Sequence, residues 1–249
     1  MYEKELAFAN ELADLAADIG LRYFGGSFDV RLKEDMTPVT QADMEIEQAI
    51  RRAVAERFRD DAVLGEEGGL QGNGERVWVI DPIDGTKNFT ARIQIWGTLI
   101  ALLQGGRPIL GVASAPALGE RYEAVRGQGA RMNGEPIHVS ENDALSEAMV
   151  VFGTLSWESQ HAEDLRAIAA DAKRTRAFGD FWSHMLVARG SAEAMLEESL
   201  RTWDTAAVQV IVEEAGGRMT AFDGEPLTDG GSALSTNGLL HEELVKRLA

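Results

Sequence analysis

The segment Trp78-Val79-Ile80-Asp81-Pro82-Ile83-Asp84-Gly85-Thr86-Lys87-Asn88-Phe89 constrains this chain more than any other. An apolar run, Val77 to Ile80, reads as a strand that delivers two carboxylates, Asp81 and Asp84, to its end. A Gly-Thr step follows at once. Carboxylates bind hard divalent cations, and the backbone N–H groups of a Gly-containing turn bind phosphate oxygens. One short segment therefore carries the means to hold both a metal and the group it acts on.

Helix and strand signals mix along the whole chain. Leu12, Leu15, Ala16, Ile19 and Tyr23 share one face of a first helix that Gly25-Gly26 ends, and Ile46, Ala49, Ile50, Ala53 and Val54 stripe a second from about Ala42 to Phe58. Strands are expected around Val63, then at Val77–Ile80, Thr98–Leu103, Ile109–Ser114 and Arg121–Val125, with hairpin turns at Gly105-Gly106 and Ala117-Leu118-Gly119. The second half predicts strands at Met149–Phe152, Arg174–Phe178, Ala192–Leu196, Arg218–Ala221 and Ala233–Ser235. Between them fall helices at His161–Ala170, Phe181–Arg189 and Trp203–Ala215, and a last helix at Leu239–Leu248. Such mixing predicts a layered α+β sandwich. Residues 1–249 read as one unit, with halves at about 1–143 and 144–249.

With 41 acidic residues against 24 basic ones, the net charge is −17. That surface repels nucleic acid and anionic membranes, so neither is an expected partner. No cysteine is present, which excludes disulfides, zinc–thiolate sites and any cysteine-nucleophile phosphatase. Met1-Tyr2-Glu3-Lys4-Glu5 lacks the basic-then-apolar plan of a signal peptide, and a cytoplasmic location is expected. His138, His161, His184 and His241 are scattered without a paired-His spacing and read as surface or packing residues.

Four acidic elements stand at strand ends or helix starts: Glu66-Glu67, Asp81, Asp84, and Asp204 within Trp203-Asp204-Thr205-Ala206-Ala207. Taken singly, each has a plain reading. Glu66-Glu67 suits a solvated loop, Asp-Pro-Ile-Asp-Gly a β-turn, and Asp204 a helix N-cap. Taken together, with Glu214-Ala215-Gly216-Gly217 downstream, they form a pattern that chance rarely produces. In that pattern the chain resembles the inositol monophosphatase-like family of metal-dependent, lithium-sensitive phosphatases. The resemblance runs from Lys33 and the segment Thr37–Asp43 to Thr236-Asn237, and the Asp81–Phe89 and Trp203–Gly217 motifs carry it.

The resemblance implies an αβαβα sandwich, a homodimer, and two or three Mg²⁺ ions per site, with Mn²⁺ as an alternative ion. It assigns Glu66, Asp81 and the Ile83 carbonyl to one ion, and Asp81, Asp84 and Asp204 to a second. The implied reaction is direct in-line hydrolysis of a small-molecule phosphate monoester by a metal-activated water. In it Glu66 accepts the proton, Thr86 oriented by Asp43 aligns the water, and Asp84, Gly85 and Thr86 receive the phosphate.

For the substrate, the resemblance is nearest to the histidinol-phosphatase branch. Asp180-Phe181-Trp182-Ser183, Ser114-Ala115-Pro116-Ala117-Leu118 and the Lys87 form of the main motif carry this likeness. Asp180 and Glu197, with Phe181 and Trp182, are the expected substrate-facing residues, since a carboxylate pairs with an ammonium and an aromatic wall suits a cation. Phe181 and Trp182 also read as core positions of their helix. Histidinol phosphate is the expected substrate. The alternatives are an inositol or sugar phosphatase of the same family and a catalytically silent relative.

Overall fold

Apolar spacing and capping set the first elements. The computed structural model describes residues 2–26, 30–32, 38–153 and 159–248. Helix α1 (Glu3–Phe24) buries Phe8, Leu12, Ala16 and Ile19, and the Gly25 N–H closes it on the Leu21 carbonyl. Two short strands follow, β1 (Val30–Leu32) and β2 (Pro38–Thr40). Helix α2 (Gln41–Arg57) starts at a capping box: the Thr40 hydroxyl accepts from the Ala42 and Asp43 N–H groups, and Asp43 Oδ2 accepts from the Thr40 N–H at 2.8 Å. Lys33 and Thr37, which open the family resemblance, lie outside the described residues.

Strands β3 (Ala62–Gly65), β4 (Gly69–Gln71) and β5 (Arg76–Asp84) lead to a short helix, α3 (Thr86–Thr90). Then come β6 (Gly97–Gln104), β7 (Arg107–Ala115), β8 (Glu120–Val125), β9 (Ala130–Met132) and β10 (Glu135–Ile137). The second half holds β11 (Met149–Phe152), α4 (Ala162–Asp171), β12 (Arg174–Arg176), α5 (Asp180–Ala188) and β13 (Ala194–Leu200). It closes with α6 (Thr202–Glu214), β14 (Arg218–Thr220), β15 (Gly231–Thr236) and α7 (His241–Leu248). Five of the three-residue strands (β1, β2, β4, β9, β10) had no expectation from sequence, while β12 and β14 fall within the longer runs expected at Arg174–Phe178 and Arg218–Ala221.

Two large sheets organise these elements, with β1 and β2 paired apart from both. The larger runs β10-β9-β8-β7-β6-β5-β3-β4 and is antiparallel except for the β3–β5 pair; the smaller runs β12-β11-β13-β15-β14. Helices α1 and α2 cover one face of the larger sheet, where Leu12, Ile46 and Ile50 meet Trp78, Ile80 and Ile100. Helices α5 and α6 lie between the sheets. Ala206, Val210 and Ile211 of α6 pack with Leu99, Ala101 and Ala113, while Leu186 and Val187 of α5 pack with Val151 and Met195. Gly111 of β7 admits α6 closely, since a Cβ there would lie 2.4 Å from the Ala207 carbonyl oxygen. Helices α4 and α7 close the outer face of the smaller sheet through Leu165, Ile168 and Leu244. The five layers are helices, sheet, helices, sheet, helices, the αβαβα sandwich expected from the resemblance. No helix among the described residues is long and apolar enough to cross a membrane.

Candidate active site

The interior strand β5 is longer than the apolar run suggested, and it is irregular where it matters. Asp81 pairs with Leu99 of β6, but Asp84 pairs with Gly97, so Pro82 and Ile83 together oppose the single residue Thr98. This is a β-bulge. In a regular strand, residues three apart point to opposite faces. The extra residue cancels that alternation and brings Asp81 and Asp84 to the same side. Pro82 suits the bulge because it has no N–H to give to the ladder. Thr98 Oγ1 pins the bulge by donating to the Pro82 carbonyl at 2.8 Å.

Asp204 reaches the same place from the first turn of α6. Its Oδ2 accepts from the Arg201 N–H at 2.7 Å, and Asp229 Oδ1 accepts from the Thr202 N–H at 2.8 Å, so the start of α6 is tied to the loop before β15. The carboxylate oxygens of Asp81, Asp84 and Asp204 lie within 4.8 Å of one another. Glu66 follows β3, beside β5, with its N–H donating to the Ile80 carbonyl at 3.3 Å. Its charge acts on Asp81, Asp204 and Asp43.

Electrostatics mark this cluster as unfinished. Burial first, then Glu66, Asp84, Asp204 and Asp43, hold the Asp81 carboxyl well above the usual carboxylate range. Asp84 is raised well above it too, by burial and then by Asp180 and Asp204, although the Phe181 N–H donates to its Oδ2 at 2.6 Å. Burial pushes Asp204 up to about 7, and does the same to Asp43. Asp81 Oδ1 and Asp43 Oδ1 are buried with no hydrogen-bond partner. Buried carboxyl groups sharing one small space call for cations, and an all-oxygen donor set suits a hard divalent ion. The residues present therefore fit the metal that the resemblance implies.

Beyond Asp84 the chain turns through Gly85, whose φ of 80° and ψ of 36° are left-handed. The first N–H groups of α3 have no partner within the helix. Thr86 Oγ1 donates to the Ile83 carbonyl at 2.9 Å, not to Asp43, whose Oδ2 is occupied by the Thr40 N–H and hydroxyl. A Cβ on Gly85 would lie 3.3 Å from Asp180 Oδ2, and the same oxygen accepts from Asn88 Nδ2 at 2.9 Å. Asp180 thus sits at the edge of the Gly85–Thr86 turn. Burial, then the neighbouring Glu197, raise it to about 7, against the opposing charge of Lys87.

Glu197 lies on β13 against Gly153, where a Cβ would fall 2.5 Å from its Cγ. Its Oε2 is buried without a hydrogen-bond partner, and His184 Nε2 stands 3.6 Å away. The structure gives the two aromatic candidates other contacts. Phe181 is 2 % exposed and belongs to the core, its ring filling the space beside Gly97. Trp182 donates its indole N–H to Glu120 Oε2 at 2.8 Å and stacks edge-on with Phe178. Phe181 packs as its core reading has it, whereas Trp182 is only partly buried against the core.

His184 is buried, in line with its reading as a surface or packing residue, with Nδ1 2.7 Å from Ser235 Oγ; what sequence reasoning missed is its proximity to Glu197. Its place four residues after Asp180 on the same helix was the available signal. His241 is a packing residue, as expected, held between the Thr220 and Thr236 hydroxyls and lowered by burial to about 4.

A layered sandwich with buried carboxyl groups converging on the end of an interior strand, next to an anion-ready turn, defines a metal-dependent phosphomonoesterase scaffold. The sequence profile of the inositol monophosphatase family matches residues 1–249, and the chain belongs to that family. It is 43 % identical to the histidinol-phosphatase of Streptomyces coelicolor, over 98 % of this chain and 96 % of that one. It is 42 % identical to the histidinol-phosphatase of Mycobacterium tuberculosis, over 100 % and 99 % of the two chains. Among solved structures, the extragenic suppressor protein suhB of Bartonella henselae superposes with a TM-score of 0.93 at 27 % identity, covering 99 % of this chain and 98 % of that one.

Proposed function

We propose that this chain is a magnesium-dependent histidinol-phosphatase, hydrolysing histidinol phosphate to histidinol and phosphate. The observation that carries the substrate choice is the acid pair Asp180 and Glu197 at the edge of the phosphate turn. Both carboxylates act on Asp84 as well as on each other, so the ester enters a site that is anionic beyond the metal ligands too. An α-ammonium and an imidazole meet that field favourably, whereas a polyol offers it only hydroxyls. The two histidinol-phosphatase relatives support the same choice.

Asp81, Asp84 and Asp204, with Glu66 and the Ile83 carbonyl, would hold the ions. Bound divalent cations supply Lewis acidity to the phosphoryl group and make water nucleophilic near neutral pH. Glu66 accepts the proton of the attacking water. The Gly85 and Thr86 N–H groups receive phosphate oxygens, and Asp84 anchors the far side of the cluster by its bond from the Phe181 N–H. Asp43, with Oδ1 facing no partner, and the Thr86 hydroxyl orient the water. The P–O ester bond breaks as the water oxygen bonds phosphorus, the water's proton goes to Glu66, and the departing alkoxide takes up a proton from solvent. No side chain acts as nucleophile. The enzyme works as a cytoplasmic homodimer in this reading.

Phosphate release with Mg²⁺ on histidinol phosphate, inositol 1-phosphate and fructose 1,6-bisphosphate tests the proposal. We expect kcat/KM to be highest for the first. Glu197→Gln, which removes one charge from the pair, should lower kcat/KM for histidinol phosphate by roughly 10- to 100-fold, mainly through KM. It should affect fructose 1,6-bisphosphate much less. Equal wild-type rates on histidinol and inositol phosphates would defeat the substrate assignment, and no turnover on any ester would point to a silent relative.

A further inference from the structure

Gly65-Glu66-Glu67-Gly68-Gly69 reads from sequence as a possible solvated loop, yet it is clamped from beneath. Glu47 of α2 is 2 % exposed and all its bonds go to this loop or to its own helix. Its Oε2 accepts from the Glu67 N–H at 2.8 Å, and its Oε1 accepts from the Gly68 N–H at 2.8 Å and from Arg51 Nε at 2.8 Å. Arg51 then reaches both strands of the hairpin: Nη2 donates to the Gly69 carbonyl at 2.6 Å and Nη1 to the Val63 carbonyl at 3.3 Å. There is no slack in the arrangement, since a Cβ on Gly65 would lie 2.4 Å from Glu47 Cδ. Asp43, Glu47 and Arg51 follow one another at four-residue spacing on one face of α2. One helix face thus carries Asp43 toward the acid cluster and, a turn further on, grips the backbone on either side of Glu66.

We infer that Glu47 and Arg51 are positioning residues for the metal site: they set where Glu66 stands relative to Asp81, and so set the affinity for divalent ions. The reason is local. The bonds fix the backbone on both sides of Glu66, and a carboxylate on a free loop would lose entropy on every ion it bound. Neither residue touches substrate or metal. The inference rests on the reading that Glu66 and its neighbours hold divalent cations, but it does not depend on which ester is hydrolysed.

The test is calorimetric titration of Mg²⁺ into metal-free protein, with thermal melts of the same samples, for wild type, Glu47→Gln and Arg51→Lys. Glu47→Gln keeps the shape but turns one acceptor into a donor facing an N–H. Arg51→Lys keeps the charge but loses the fork to Gly69 and Val63. Outer partners of metal ligands typically contribute about 10- to 100-fold in affinity. We expect a loss in that range for Glu47→Gln and a smaller loss for Arg51→Lys, with the metal-free melting temperature changing far less than the Mg²⁺-induced rise. A clamp that is only structural gives the reverse, a lower metal-free melting temperature with an unchanged Mg²⁺ dissociation constant, and overturns the inference. If Glu47→Gln fails to fold, an unchanged constant in Arg51→Lys overturns it equally. Wild-type protein that binds no Mg²⁺ overturns the metal reading itself, an outcome visible before any variant is compared.

Discussion

Asp81→Asn lowers turnover by on the order of 10³-fold or more while raising the stability of the metal-free protein, and the opposite signs are the point. Asp81 is buried at the larger sheet beside four other acids, with Oδ1 unpartnered. In the absence of cations, burial of this group opposes folding, whether the site holds the charge or a proton. Asparagine has nearly the same shape and no charge, so it removes that cost. It also removes the carboxylate expected to be shared between ions. The measurements are phosphate release at saturating Mg²⁺, and melting temperature with chelator and with Mg²⁺. The variant should melt higher than wild type in chelator and show little rise with Mg²⁺. Near-normal turnover would contradict the bridging role of Asp81.

The second large effect is in pH. Asp43, Asp180 and Asp204 are raised to about 7 in the folded protein, from the ordinary value of 3.8. Between those values the folded state binds more protons than the unfolded state, so stability falls as pH rises. The fall begins near 4 and levels above about 7. One carboxylate moved that far opposes folding by about 4 kcal/mol when fully ionised. For a chain of this size each kcal/mol moves the melting temperature by roughly 2–4 °C. Metal-free protein should therefore melt on the order of 10 °C lower at about pH 8 than at about pH 5. Mg²⁺ reverses the trend, because the ions displace the very protons that stabilise the metal-free state, and their binding strengthens with pH. The difference between melts with Mg²⁺ and with chelator should widen steadily from about pH 5 to about pH 8. A metal-free melting temperature that rises with pH over that range would contradict this account of the cluster.

The helices were legible where their apolar faces repeat. Leu12, Ala16 and Ile19, and then Ile46 and Ile50, lie buried on the faces their spacing predicts. The strands β6, β7, β8 and β11 stand where runs such as Thr98–Leu103 and Met149–Phe152 placed them. The aromatic pair shows the limit. Phe181 and Trp182 next to an acid look the same in sequence whether they wall a pocket or fill a core, and for Phe181 only the close approach of Gly97 to its ring decides. Glu47 shows it from the other side. A glutamate in a charged helix gives no sign that its bonds go to a loop 20 and 21 residues away.

The order of residues by itself determined the chemistry on offer: an oxygen-rich, cysteine-free donor set, an anionic surface, and an Asp-Pro-Ile-Asp-Gly-Thr segment that joins carboxylates suited to a divalent ion to a turn suited to phosphate. Composition and local pattern settle such things because they depend on side-chain type and near neighbours. Tertiary structure alone decided that Asp81 and Asp84 face the same way. That outcome needs β6 to present one residue, Thr98, against two on β5, and pairing between strands is a non-local choice. It likewise decided that Asp204, more than a hundred residues downstream, completes the cluster, because only the packing of α6 against the large sheet carries the first turn of that helix there.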